Sequence, residues 1–278
     1  MLLGLPFLVA AANDATAGVN APLRRDGSPA VSEAELQAKK AAWATFHEKD
    51  FTTTALPPCP GSPATLGAGS TSANLNQLLS EWETADATAA CSGVLTFTAP
   101  TATTYTLSKC YGIYGGSSWV LDASPSGGVT LVAAANNRHV EFYQGALAVQ
   151  GLTFTGGDTT SYQRTTDGGS INVSETILRV ISCVFDGNVS PDGGGAIYSE
   201  SGQVLIAATT FHANLGVNGG ALQLVTLAGT SNNTIVDSTF RGNVASGVSD
   251  QGPTRHCATN GFLGQAGGGL ESGERGKC

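Results

Sequence analysis

Charge is what this chain has least of. Only 12% of its 278 residues are Asp, Glu, Lys or Arg, about half the share of an ordinary soluble domain. Methionine occurs once. A charged-surface helical bundle or a coiled coil needs Glu, Lys and Leu in quantity, so both are disfavoured. Lys and Arg number 13 against 21 Asp and Glu, a net charge of -8, and a binder of phosphate backbones needs the opposite sign. Nucleic acid is therefore not an expected partner. No cysteine pair has C-x-x-C spacing, and no Gly-x-Ser-x-Gly, P-loop or dinucleotide fingerprint occurs, so neither a metal nor a cofactor is expected. Disorder is disfavoured too, because 41% of the residues are hydrophobic and charge is dilute. The space left by charge is filled by 37 glycines and by Thr, Ser, Ala and Asn. That is the composition of an all-β protein with many turns.

The N-terminus carries the one long apolar run. Leu2 to Ala12 suits the core of a signal peptide and is too short to span a bilayer; small-x-small cleavage patterns end at Ala12 and Ala17, making residues 1–17 a leader candidate. Beyond it no stretch approaches the roughly 18 apolar residues of a membrane helix. Six cysteines (Cys59, Cys91, Cys110, Cys183, Cys257 and Cys278) come after the leader, an even count that fits an oxidising compartment. Sequons at Asn172, Asn188 and Asn232 agree with secretion. An extracellular or cell-surface location is the expectation.

Residues 18–70 read as a helical and Pro-rich segment, with a helix from Ser32 to Phe51 and a linker around Leu56–Pro63. A second helix from Ser72 to Glu83 presents Leu75, Leu78, Leu79 and Trp82 on one face, placed to cover the first coil of the β-rich region. After Cys91 the texture becomes short alternating runs such as Val94–Thr98 and Val129–Val132, separated by Gly-Gly pairs and Asn or Asp.

Two interleaved landmarks decide the architecture. Phe185-Asp186-Gly187-Asn188, Phe211-His212-Ala213-Asn214 and Phe240-Arg241-Gly242-Asn243 recur at spacings of 26 and 29, and Phe154 opens a copy lacking the Asn. Gly169-Ser170-Ile171, Gly195-Ala196-Ile197 and Gly220-Ala221-Leu222 recur in phase at 26 and 25. A period of this size, with several short strands in it, specifies the coils of a parallel β-helix, each rising by about 4.8 Å. Alignment stacks Phe185, Phe211 and Phe240 inward, with Cys183, Thr209 and Ser238 two residues before them. Asn188, Asn214 and Asn243 fall at a corner, as an amide ladder. The Gly-Gly pairs serve corners that need positive φ or close backbone approach. Four extra residues in the last repeat should bulge around Gly229–Asn232. The β-helix with its cap is assigned to residues 71–250.

Gly-Gly-Ala-Ile/Leu followed by Phe-x-x-Asn resembles the repeat of chlamydial polymorphic outer membrane proteins, clearly over residues 169–243 and more weakly from Val94. The resemblance implies an all-β, right-handed parallel β-helix of pectin-lyase type at an extracellular or surface site. It does not imply an enzyme.

A polysaccharide hydrolase on this scaffold needs paired carboxylates, and a lyase needs a basic residue, often beside calcium-binding Asp. The nearest constellation is the column after the Phe: Asp186, His212 and Arg241, which otherwise forms a solvated ladder. A second is the insertion between Gly156 and Gly169, with Asp158, Tyr162, Arg164 and Asp167; its bland reading is an ordinary polar loop. His47, His139 and His256 are isolated and read as structural or surface residues; Cys183 reads as a small buried apolar residue. Cys91–Cys110 is the expected disulfide, since the pair brackets the first two strands. Asn172 and Asn232 are the glycosylation candidates, Asn188 being taken by the ladder. The favoured function is structural, adhesive or glycan-binding, with glycans or surface proteins as partners. A polysaccharide lyase or glycoside hydrolase is the alternative, and an inert spacer the second. Residues 251–278, with the landmark Gly267–Leu270 arriving late, are expected to form an incomplete coil.

Overall fold

The computed structural model describes residues 56–162, 165–225 and 233–246, plus the backbone of the strand Phe262–Gln265. The leader, the helix from Ser32 to Phe51, His47, Arg164, the bulge at Gly229–Asn232, His256, Cys257, the landmark Gly267–Leu270 and Cys278 all lie outside the described residues.

The chain winds as a parallel β-helix. After β1 (Ala64–Leu66), the first coil is β2 (Ser92–Phe97), β3 (Thr103–Thr106) and β4 (Tyr111–Ile113). The next are β5 (Ser118–Asp122), β6 (Val129–Val132) and β7 (Val140–Tyr143), then β8 (Ala146–Gln150), β9 (Leu152–Thr155) and β10 (Ile171–Ser174). They are followed by β11 (Ile177–Ile181), β12 (Val184–Asp186) and β13 (Ile197–Glu200). The last two coils are β14 (Gln203–Ala207), β15 (Thr210–His212), β16 (Leu215–Gly216) and β17 (Leu222–Val225), then β18 (Thr234–Val236), β19 (Thr239–Arg241), β20 (Val244–Ala245) and β21 (Phe262–Gln265). Each coil places one strand on each of three parallel sheets. The first face is β1-β2-β5-β8-β11-β14-β18, the second β3-β6-β9-β12-β15-β19, and the third β4-β7-β10-β13-β17-β21. A correction concerns the landmark Gly267–Leu270: the final strand of the third face is Phe262–Gln265, with Phe262 opposite Leu222, so it precedes the glycine run expected to open it.

Alternation does the sorting. Along β11 Leu178 and Val180 are buried while Ile177, Arg179 and Ile181 face out, and the same two-residue period runs through β2, β5 and β6. The aligned columns pair as the repeats require: Phe154, Phe185, Phe211 and Phe240 lie in register on the second face. Their rings stack at centroid separations of 4.8, 5.0 and 4.8 Å, within 9° of parallel. Cys183 and Thr209 are buried two residues before them.

The Asn ladder is continuous. Asn188 Nδ2 donates to Phe154 O (3.1 Å) and Asn214 Oδ1 (3.0 Å); Asn214 Nδ2 donates to Phe185 O (3.0 Å) and Asn243 Oδ1 (2.9 Å); Asn243 Nδ2 donates to Phe211 O (2.9 Å). Each side-chain oxygen also accepts the backbone N–H one coil below, starting with Gly157 N to Asn188 Oδ1. At the Gly-Gly corner, close approach is what demands the second glycine of each pair, while Gly168 also has positive φ. A Cβ on Gly195 would sit 2.2 Å from Gly220 O, and one on Gly169 2.3 Å from Gly195 O. Left-handed residues recur at the other corners: Glu175 and Ser201; Ser182, Ala208 and Asp237; and Gly187, Ala213 and Gly242, each just before a ladder Asn.

The N-terminal end is closed by different means. Helix α1 (Ser72–Asp86) starts in a capping box between Thr71 and Asn74 and buries Leu75, Leu79 and Trp82. Its polar side chains occupy the open edge of the first coil. Ser72 Oγ accepts Thr106 N, Asn76 Oδ1 accepts Ser108 N, and Glu83 Oε1 accepts Gly112 N. The buried Asp86 carboxylate accepts Tyr114 N, Gly115 N and Ser117 N at 2.7–3.1 Å. The first face is closed by β1, which pairs with Leu95–Phe97. Its three residues lie inside the segment 18–70 and ahead of the boundary at residue 71, being too few to show a period. Among the described residues no helix is long and apolar enough to cross a membrane.

Another expectation is corrected here. Cys91 pairs with Cys59, not Cys110. Cys91 leads into the first face and Cys110 into the third, so the chain carries them to different sides of one coil. Cys59 lies directly beneath Cys91, its N–H donating to Ser92 O at 2.9 Å. Cys110 is a free thiol.

Candidate functional site

The outward side of the third face is built from two columns. Pairing places Glu141 beside Asn172 and Asn172 beside Tyr198; it also places Tyr143, Ser174 and Glu200 in a row. Tyr114, one residue beyond β4, stacks on Tyr143 with centroids 5.2 Å apart and planes 20° apart. Over the first column lies the Gly156–Gly169 insertion, a strap that brings Tyr162, Thr165 and Asp167. The chain has six tyrosines. Tyr105 and Tyr111 are buried in the core, and the other four, Tyr114, Tyr143, Tyr162 and Tyr198, all converge on this face.

Beneath the insertion sits a closed ion pair. Arg138 is fully buried, its Nη1 3.4 Å from Glu141 Oε2, and its guanidinium lies over the Tyr162 ring, 4.7 Å from the centroid. It also donates to Thr165 O and to Thr165 Oγ1. Glu141 accepts from the hydroxyls of Tyr114 (3.2 Å) and Tyr162 (3.3 Å). Asn172 Nδ2 donates to Thr165 Oγ1 at 3.0 Å, and Ser190 Oγ to Thr166 O at 2.8 Å. Two coils of sheet thus hold the strap by side-chain bonds, the buried charges being paired as burial requires.

Carboxylates border the open part. Asp167 and Tyr198 meet over Gly193, where an added Cβ would lie 2.6 Å from Asp167 Oδ1 and 2.8 Å from Tyr198 Cδ2. Burial, reinforced by the nearby charge of Asp192, pushes the Asp167 carboxyl up to about 6. Tyr198 and Tyr162 are raised, mainly by burial. Burial likewise pushes the Cys110 thiol up to about 12, so it is not a thiolate nucleophile. The result is an aromatic stack at Tyr114 and Tyr143, a short step at Ser174, and an acidic far side at Asp167, Asp192 and Glu200. The two rings cover one another's facing sides, so the stack offers a ligand its outer faces, edges and hydroxyls, and the carboxylates accept hydroxyls or amines.

The other candidates fall elsewhere. Asp186, His212 and Arg241 do lie in register on the second face, with His212 Nδ1 2.7 Å from Asp186 Oδ1. Their side chains are 49% and 42% exposed for Asp186 and His212, a solvated ladder without a pocket wall. Asp158 closes a local turn by accepting from Thr160 N and Oγ1. His139 is structural and neutral: fully buried, it contacts Leu131 O and Ser170 Oγ at 3.0 Å, and burial lowers its pKa to about 4. Cys183 is buried, its thiol pushed up to about 12. Asn172 is corrected as a glycosylation candidate, because the strap buries its amide; Asn188 is held in the ladder, and Asn232 lies outside the described residues. No group of three His, Cys, Asp or Glu that could hold a metal occurs among the described residues. Nothing local in the sequence marks Tyr114, Tyr143 and Tyr198; their shared parity within the repeat is the signal that finds them.

A comparison with family models matches residues 182–200 to the Chlamydia polymorphic membrane protein repeat. That stretch spans the Phe185–Asn188 corner, the Gly-Gly corner and β13, which is one passage of the repeat, and together with the parallel coils it fits a β-helix of polymorphic-membrane-protein type. No curated protein and no solved structure matches the chain.

Proposed function

We propose that this chain is a surface-displayed β-helix that binds extracellular glycan through its third face. The observation that carries the reading is the convergence of Tyr114, Tyr143, Tyr162 and Tyr198 on one outward face, fixed from below by the Arg138–Glu141 pair. Tyrosine brings large contact area at little entropic cost, and on a rigid sheet it is already in place. A repeat named for membrane proteins supports display at a surface. The test is calorimetric titration with neutral, basic and acidic oligosaccharides. Tyr143→Ala is expected to weaken binding by about tenfold, as for a central aromatic contact, with an unchanged far-UV spectrum. Absence of binding to every oligosaccharide overturns the reading.

A second reading is polysaccharide hydrolysis. It is favoured by Asp167, a carboxyl raised mainly by burial, as a general acid requires, with the carboxylates of Asp192 and Glu200 nearby. Release of new reducing ends, lost in Asp167→Asn, would establish it in place of simple binding.

A further inference from the structure

The third face also bears on which glycan it takes. Among its described residues the carboxylates outnumber the cations. Glu141, Asp167, Asp192 and Glu200 surround the tyrosines. The cation among them, Arg138, is fully buried and engaged by Glu141, Thr165 and the Tyr162 ring. Lys109, a half-exposed ammonium at the edge of the face, is engaged by Glu83, so among the described groups an acidic sugar approaching Tyr143 and Glu200 meets carboxylates. Burial is the main cause that raises the Asp167 carboxyl; Asp192 and Glu200 add to it and Arg138 opposes them. It is these carboxylates, not the burial, that would attract a positive charge brought by a ligand. Tyrosine faces add to that attraction, since their rings draw cations.

The row Tyr143, Ser174 and Glu200 shows where such a charge would lie. Three successive coils set Tyr143 and Glu200 about 10 Å apart, with the short Ser174 between them. A sugar ring resting against Tyr143 would direct its next residue along Ser174 to Glu200. Resting on the glycan reading, we infer that the third face selects amino sugars bearing a free, protonated amine over neutral sugars, and excludes uronic acids, with Glu200 as the residue that reads the amine.

The experiment is titration with three oligomers of equal length: β-1,4-linked glucosamine, its N-acetylated form and galacturonate. It is run at about pH 6, where a sugar amine is protonated, and at about 0.15 M salt to screen long-range attraction. Glucosamine oligomer should bind most tightly, the N-acetylated form several-fold more weakly, and galacturonate not at all. Glu200→Gln should lower affinity for the glucosamine oligomer by about three- to fivefold, the range of a partly exposed ion pair, and leave the N-acetylated oligomer unchanged. Asp122→Asn, on the first face, alters net charge equally and should change neither. Equal losses in the two variants, or galacturonate binding as well as glucosamine, overturn the inference while leaving glycan binding intact. Binding of none of the three removes the glycan reading and the inference with it.

Discussion

Two stretches of the β-helix, its N-terminal boundary and its repeating middle, solve one problem in opposite ways. From Phe154 to Asn243 the coils repeat, and identical residues meet identical residues: Phe on Phe at 4.8–5.0 Å and Asn on Asn at 2.9–3.0 Å. From Cys59 to Phe142 nothing repeats. There the interior is filled by Trp82, Trp119 and Phe142 in edge-to-face contacts of 5.4 and 5.3 Å, and the edge is closed by a helix and a disulfide. Stacked coils can share one solution because each presents the same hole to the next. Among the described residues the second and third faces of the first coil have no strand below, so their backbone groups find individual partners in Ser72, Asn76, Glu83 and Asp86. Regularity belongs to the middle of a solenoid and irregularity to its boundary.

The largest expected effect lies in the ladder. Asn214→Ala deletes a donor to Phe185 O and Asn243 Oδ1, and the acceptor of Asn188 N and Asn188 Nδ2. Four buried groups each lose a partner. Asn243 Oδ1 keeps Asn214 N and Asn188 Nδ2 keeps Phe154 O. Phe185 O and Asn188 N lose their side-chain partner, at roughly 1–3 kcal/mol each, and the removed side chain leaves a cavity as well. A loss of about 4–6 kcal/mol in urea unfolding is expected, enough to unfold a marginal domain. A loss below about 1 kcal/mol would mean that the ladder is ornamental and that the repeating middle is held by its Phe stack alone.

The disulfide should act at the boundary. It closes a loop with a sequence separation of 32 that contains both β1 and α1, a constraint of about 3–4 kcal/mol in the chain-entropy model. Replacing Cys59 and Cys91 by Ser should lower stability by up to that amount. Amide exchange should accelerate over β2 to β4 and stay unchanged around the Phe stack. Uniform acceleration along the whole solenoid would show that the two stretches are held as one cooperative unit and not by separate means.

That same boundary explains which features are legible in the sequence. The period, the inward Phe, the corner Asn and the covering helix are legible because each rests on a pattern several residues long. Cys59–Cys91 is not, since a vertical partner is visible only once β1 is known to begin a coil, and three residues carry no period. The binding face is half legible. Asp167 and Tyr162 stand out as an insertion between glycines, whereas Tyr114, Tyr143 and Tyr198 come from separate coils. Only the register brings them together.

Acidity separates the buried core from the strap more gently. His139 has its pKa lowered from 6.5 to about 4 by burial, so its contribution is complete above pH 6.5 and is lost as pH falls toward 4. Asp167 is raised from 3.8 to about 6, so it stabilises the fold at low pH and ceases to as pH rises through 6. The two slopes oppose one another over nearly the same window. The first is worth on the order of 3 kcal/mol and the second, discounted for partial exposure, on the order of 1 kcal/mol. Asp167→Asn should therefore steepen the net loss of stability on acidification between pH 6 and 4. An unchanged pH profile would place Asp167 in solvent and detach the strap from the acidic cluster.

The smallest effect belongs to the column that looks most catalytic. Asp186 and His212 are bonded at 2.7 Å, but their side chains are 49% and 42% exposed, and Arg241 follows them on the next coil. Water solvates each group nearly as well when the partner is removed, so the pair contributes about 0–1 kcal/mol. The residues beneath carry the energy: Phe185 and Phe211 are fully buried one position away on the same strands. His212→Ala should thus shift the unfolding free energy by less than about 1 kcal/mol. Phe211→Ala, its immediate neighbour, should cost about 3–5 kcal/mol. The contrast tests the alternation itself, since two adjacent positions on one strand face opposite sides of the sheet. It also tests the choice of face: oligosaccharide binding should survive His212→Ala and fall with Tyr143→Ala. A His212→Ala variant that unfolded readily, or that lost glycan binding with its fold intact, would move the functional surface from the third face to the second.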